Sequence, residues 1–202
     1  MRNYSIKEAL PIIINAAKEY DSKLCDRHFL IIYKKDNQIE SCEVGFRDYN
    51  FLHLTGIKTS LSAQQFYNAC INGKLSVNHI SISSDGKTQQ KLAVLPYLSE
   101  LLYNRCMIGD FINSGISIRA DYFVGDTKAI ISVGFRSNSS VDFPVSLYND
   151  DIRKLSNPTC QVLAIYSKRY NETNYTDITY CIKDFDKSIL PSNILDRIVK
   201  QI

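Results

Sequence analysis

The chain has 202 residues, 24 lysines and arginines against 21 aspartates and glutamates, and a net charge of +3. With 45% hydrophobic and 22% charged residues it has ordinary globular composition and enough length to bury a core. The mild basicity permits an anionic partner such as RNA without requiring one, and no apolar run reaches the roughly 18 residues of a membrane span.

The N-terminal stretch MRNYSIKEALPIIINAAKEY carries Lys7, Glu8, Lys18 and Glu19 around its apolar part and lacks a secretory core with a cleavage site. A cytoplasmic protein is therefore expected. Ser5-x-x-Glu8 is a capping box, and Ile6, Ala9, Leu10, Ile13 and Ala17 share one face, so residues 5–20 read as a helix despite Pro11. HFLIIYKK (28–35) and IESCEVGFR (39–47) are rich in β-branched and aromatic residues on either side of a short polar turn, which predicts a β-hairpin. Residues 51–57 read as extended, with Phe51, His53 and Thr55 on one face. Ser62 with Gln65 is a second capping box, Ala63, Phe66, Tyr67 and Cys70 follow helical spacing, and Gly73 is placed to end that helix.

ISISSDGK (80–87) reads as a short strand and turn, and QQKLAVLPYLSELLYN as a helix with Leu92, Leu95, Leu98 and Leu102 buried. From Ile116 the pattern turns to β, in ISIRADYFVG, KAIISVGFR, FPVSLYN, CQVLAIYSK and YTDITYCIK. A last helix is expected over about 191–202, with Ile194, Leu195, Ile198 and Val199 on one side. No repeat or linker stands out. The expectation is one α+β domain over residues 1–202, with N-terminal helices packed on a mostly antiparallel sheet and a C-terminal helix.

The usual loops and motifs of enzyme sites are missing from the chain: no Walker loop, no G-x-G-x-x-G, no H-E-x-x-H and no G-x-S-x-G. The six cysteines, Cys25, Cys42, Cys70, Cys106, Cys160 and Cys181, form no close pair, so no metal site and no cofactor are expected and buried, reduced thiols are the default. Asp150 and Asp151 read as a helix start or a solvated loop. The 13 tyrosines can stack on bases, although core-edge packing accounts for most of them.

What remains is His53. Cleaving RNA without a metal needs a base for the ribose 2′-hydroxyl, a cation for the charge on phosphorus, and an acid for the leaving oxygen. His53 and Thr55 supply an imidazole and a hydroxyl of the right kind, Lys91 and Arg119 are cations, and Ser146 in FPVSLY is a further hydroxyl. Each also has a plain structural reading: a hydrogen-bonded histidine at the core edge, a lysine snorkelling over Leu92 and Leu95, a strand serine. His28 and His79 lie beside strand starts and look structural.

The segments FLHLTGI, SAQQFYNACINGKLS, KLAVLPYLSELL, VGFR and FPVSLYNDD, together spanning about Phe46 to Lys168, resemble a group of phage-borne nuclease-like domains. The group is named for Barnase, EndoU, colicin and RelE (BECR), and this chain is similar to its fourth phage class. The resemblance implies a BECR-like α+β fold and a metal-independent endoribonuclease, a toxin carried by phage or mobile elements. Its substrate would be an RNA such as a tRNA or mRNA, and an antitoxin or immunity protein would be a second partner. His53 and Thr55 match the aromatic-x-His-Leu-Thr-Gly piece, Lys91 the lysine before the leucine-rich helix, and Ser146 the P-x-S-L position. Two other functions stay open on the sequence: a non-catalytic phage module that grips RNA or a protein, and transfer chemistry on a nucleotide. The absence of a Glu-x-Glu pair weakens the second.

Overall fold

The computed structural model describes residues 3–112, 120–126, 128 and 130–198. Helix α1, Ile6–Lys23, starts where the capping box places it: the Ser5 side chain accepts from the Glu8 N–H while the Glu8 carboxylate accepts from the Ser5 N–H. The helix continues through Pro11, whose missing N–H falls on the exposed side. Ala9, Ile13, Ala16, Ala17 and Tyr20 form its buried face. Strands β1 (Arg27–Lys35) and β2 (Gln38–Phe46) form the expected hairpin. Asp36 and Asn37 both take positive φ, 48° and 64°, as a two-residue turn between twisted strands requires.

The stretch after the hairpin is not extended. Asn50–Thr55 is a helix, α2, closed by Gly56 at φ 69°. The buried residues Asn50, Phe51, Leu54 and Thr55 recur at helical spacing, which an alternating reading of Phe51, His53 and Thr55 hides. Helix α3, Ala63–Ile71, has the predicted Ser62–Gln65 box, and Gly73 follows its end at φ 64°. The predicted strand at 80–87 shrinks to one bridge between Lys58 and Ser81. The leucine-rich helix also splits. Helix α4 covers Lys87–Val94, and from Leu95, beside Pro96, the chain tightens into a 3₁₀ segment, Leu95–Tyr103.

The β half contains β3 (Met107–Phe111), β4 (Tyr122–Asp126), β5 (Ile131–Arg136), β6 (Phe143–Tyr148), a one-turn helix α5 (Ile152–Leu155), β7 (Ser156–Arg169) and β8 (Asp177–Cys181). The sequence reading did not separate β3; of Asp150 and Asp151, read as a helix start or a solvated loop, Asp151 is the N-cap of α5. The last predicted helix is a single turn, α6 (Ser192–Leu195), and Val199 lies outside the described residues.

All named pairings are antiparallel, in the order β2-β1-β7-β3-β4-β5-β6, with β8 also on β7. The sheet curls until its two edge strands meet. The Gly45 N–H donates to the Asp142 carbonyl at 2.8 Å, and the Asp142 N–H to the Glu43 carbonyl at 2.9 Å. Alternation along β1 divides the core in two. Phe29 and Ile31 pack with α1, α2, α3 and the leucine-rich segment, while Leu30 and Ile32 pack with Tyr166, Tyr175, Leu190, Ile194 and Ile198. This is an α+β architecture with helices on an antiparallel sheet. No helix among the described residues is long and apolar enough to cross a membrane.

Candidate active site

The curl leaves a cleft of about 700 Å³ beside the point where the sheet edges meet. One wall is α2, contributing Asn50 and His53; another is the end of the hairpin, contributing His28, Gly45 and Arg47; a third holds Arg136, Asn138 and residues 140–145. His53 is exposed there.

The two arginines arrive by the same local chemistry. Val-Gly-Phe-Arg occurs twice, at 44–47 and 133–136, at the ends of β2 and β5. The two phenylalanines, Phe46 and Phe135, meet edge to face at 5.9 Å in the core, and the arginine after each lines the cleft. This duplicated tetrapeptide was the sequence signal for the cationic part of the site, and it was missed because the two copies lie far apart in the chain.

Arg47 is fixed at every level. The Tyr20 hydroxyl donates to its carbonyl at 2.8 Å, and its N–H donates to the Asn50 side chain at 2.9 Å. Its guanidinium bonds Asp26 at 2.9 Å and lies 3.4 Å from the centre of the Tyr170 ring. Tyr49 and Tyr170, 54% and 55% exposed, present two aromatic rings at the mouth. The cleft's carboxylate, Asp142, is already engaged by the Tyr122 hydroxyl at 2.7 Å and the Asn138 N–H at 3.0 Å. The cations on the cleft wall are Arg47, held by Asp26, and Arg136, and guanidinium groups of this kind suit a phosphate.

The sequence-predicted residues fall in different places. Lys91 sits under α2 and donates to the His53 carbonyl at 2.7 Å. Burial, then the like charge of Lys87, pull its ammonium down to about 8. Thr55 is fully buried; its hydroxyl donates to the Leu52 carbonyl at 2.8 Å and accepts from the Ile57 N–H at 3.1 Å. It closes the helix that carries His53 and does not line the cleft. Ser146 stands opposite Gly134 on β6, two residues beyond Pro144 in the cleft wall, and is itself outside it. Arg119 lies outside the described residues. His79 accepts from the Ser76 N–H at 3.1 Å, a local structural role, but His28 stands in the cleft wall. All six cysteines are free; Cys181 is exposed, contrary to the expectation of burial.

The model of the phage-Barnase-EndoU-ColicinE5/D-RelE like nuclease4 family matches residues 12–184. The chain belongs to this family. As a BECR-type nuclease it has a nucleic acid as the implied substrate. The match is wider than the motif-bearing stretch from Phe46 to Lys168, because it takes in most of α1 and the whole β1–β2 hairpin with His28 and Glu43. No curated protein and no solved structure gives a significant match.

Proposed function

We propose that this BECR-family nuclease is a metal-independent endoribonuclease, acting in the cytoplasm as a toxin of phage or mobile-element origin. The observation that carries the reading is the exposed His53 in one cleft with Arg47 and Arg136. His53 takes the proton from a ribose 2′-hydroxyl, the oxygen attacks phosphorus, and the guanidinium groups stabilise the charge that builds on the phosphoryl oxygens. Lys91 and Thr55 are positioning residues, one holding the His53 carbonyl and the other closing its helix. Tyr49 and Tyr170 offer faces on which unpaired bases stack, so the substrate is a single-stranded or looped RNA, of the kind found in tRNA and mRNA. In this reading an antitoxin or immunity protein would act by covering the same cleft.

The test is incubation of purified wild type and His53→Ala with total RNA in excess chelator, read on a gel. Wild type cuts, and the variant cuts at least about 100-fold more slowly. Equal cutting by the two removes His53 from the mechanism. Intact RNA with saturable, salt-sensitive binding identifies a non-catalytic RNA-gripping module instead.

A further inference from the structure

The strand wall holds a second imidazole with the organisation of an acid–base group. On β1, His28 is the ladder partner of Gly45. Its Nδ1 lies 2.9 Å from a Glu43 carboxylate oxygen. The opposite edge of the ring lies along the cleft wall: a Cβ built on Gly45 would stand 3.2 Å from Cδ2 and 3.4 Å from Nε2. Glycine at 45 keeps a side chain off this edge, beside the Val141 methyl group. Among the described residues, Nε2 has no protein hydrogen-bond partner.

Neighbours hold the rest of the ring. Tyr170 packs against it edge to face at 5.1 Å, with Arg47 on the tyrosine face. Behind it, Glu43 is bonded by Arg197 and lies 4.0 Å from Lys168, which is the ladder partner of His28 on β7. Burial alone would raise the Glu43 carboxyl. The hydrogen bond to His28, with the charges of Arg197 and Lys168, outweighs it and holds the group at about 2. Glu43 is thus an anion throughout the working range of pH. A carboxylate on Nδ1 fixes the orientation of the ring, as it does for an acid–base imidazole, and leaves Nε2 as the nitrogen free to exchange a proton. The other charged, titratable and aromatic groups lining the cleft are His53, Arg47, Arg136, Asp142, Tyr49 and Tyr170.

We propose that His28, oriented by Glu43, is the general acid of the cleavage reaction and that it works opposite His53. This rests on the endoribonuclease reading. The 2′-oxygen forms its bond to phosphorus as His53 takes the 2′-hydroxyl proton. The bond from phosphorus to the 5′-oxygen breaks, and that oxygen takes the Nε2 proton of the His28 imidazolium. The products are a 2′,3′-cyclic phosphate and a 5′-hydroxyl, and the two histidines exchange protonation states. Glu43 is a positioning residue.

The test uses a short RNA oligonucleotide spanning a cut mapped in total RNA, made with either oxygen or sulfur as the 5′-bridging atom. A thiolate leaves without a proton, so the sulfur substrate needs no general acid. His28→Asn keeps a donor for Glu43 and lacks the transferable proton. It cuts the oxygen substrate about 100-fold or more slowly than wild type, cuts the sulfur substrate at close to the wild-type rate, and loses one limb of the pH–rate profile. Glu43→Gln shows the same pattern, smaller, and serves where the first variant fails to fold. His53→Ala slows both substrates. Equal slowing of both substrates by the His28 and Glu43 variants means a structural role and overturns the proposal, as does no slowing of either. A wild-type protein that leaves RNA intact overturns the nuclease reading itself, and this assignment falls with it.

Discussion

On the helical wall of the cleft His53 rides on a helix of only six residues, tethered from below by neutral acceptors: Lys91 to the His53 carbonyl and the Thr88 hydroxyl to the Gly56 carbonyl at 2.7 Å. On the strand wall His28 and Arg47 sit in or beside a long hairpin, each paired with a carboxylate and packed on Tyr170. The two walls use opposite means. The strand wall orients its groups by charge, within a ladder that fixes nine consecutive residue pairs. The helical wall orients its histidine through the backbone and leaves the imidazole exposed. A base that must approach a ribose benefits from that freedom, while groups that receive developing charge work best when already in place.

The largest effect that tests this contrast is expected at Arg47. Arg47→Ala removes a guanidinium held by Asp26 and Tyr170, and RNA cleavage falls about 100-fold. Arg47→Lys restores little, because an ammonium cannot reproduce the planar stack on the tyrosine. Full recovery with lysine, measured as initial cleavage rates, would mean that the fixed geometry of the strand wall does not matter. The next effect is on stability. The Glu43 carboxyl is lowered from 4.5 to about 2 in the fold, so the unfolded chain binds more protons between those values. The contribution is complete above pH 4.5 and is lost as pH falls toward 2, on the order of 2 kcal/mol. Urea unfolding of wild type and Glu43→Gln across that range checks it: the wild type weakens more steeply with acid, and parallel curves would show that the network is too solvated to orient His28.

Much of the fold was legible because local signals agreed with it. The capping boxes at Ser5 and Ser62, the two-residue turn at Asp36-Asn37 and the leucine stripe from Leu92 to Leu102 each act within a few residues of chain. The errors came where tertiary packing decides. Six residues are too few for periodicity to separate helix from strand, so α2 was read as extended, and Pro96 tightened a helix rather than bending it. Within the site, His53 could be picked out because it is a rare residue type beside a helix start. His28 could not, since its meaning depends on Glu43 standing across a hairpin and on Gly45 leaving one ring edge open. Arg47 and Arg136 become a pair only when the sheet curls and brings β2 against the start of β6. No property of either tetrapeptide alone encodes that meeting.

The smallest effect expected is at Lys91, and it bears on the helical wall. In the fold its ammonium is lowered from 10.5 to about 8 by burial and by Lys87, against the opposite pull of Asp85. Between those values the unfolded chain holds more protons, so stability rises with pH through that window. From pH 7 to pH 9 the gain is about 1 kcal/mol. Lys91→Met keeps the stem against Gly56 and removes the titration, so urea unfolding at the two pH values loses that increment. The neutral amine still donates to the His53 carbonyl, so the tether outlasts the charge. An identical pH increment in the variant would place Lys91 in solvent, and the Thr88–Gly56 contact would then be the hydrogen bond by which α4 holds the C-terminal end of α2 and, through it, the His53 position.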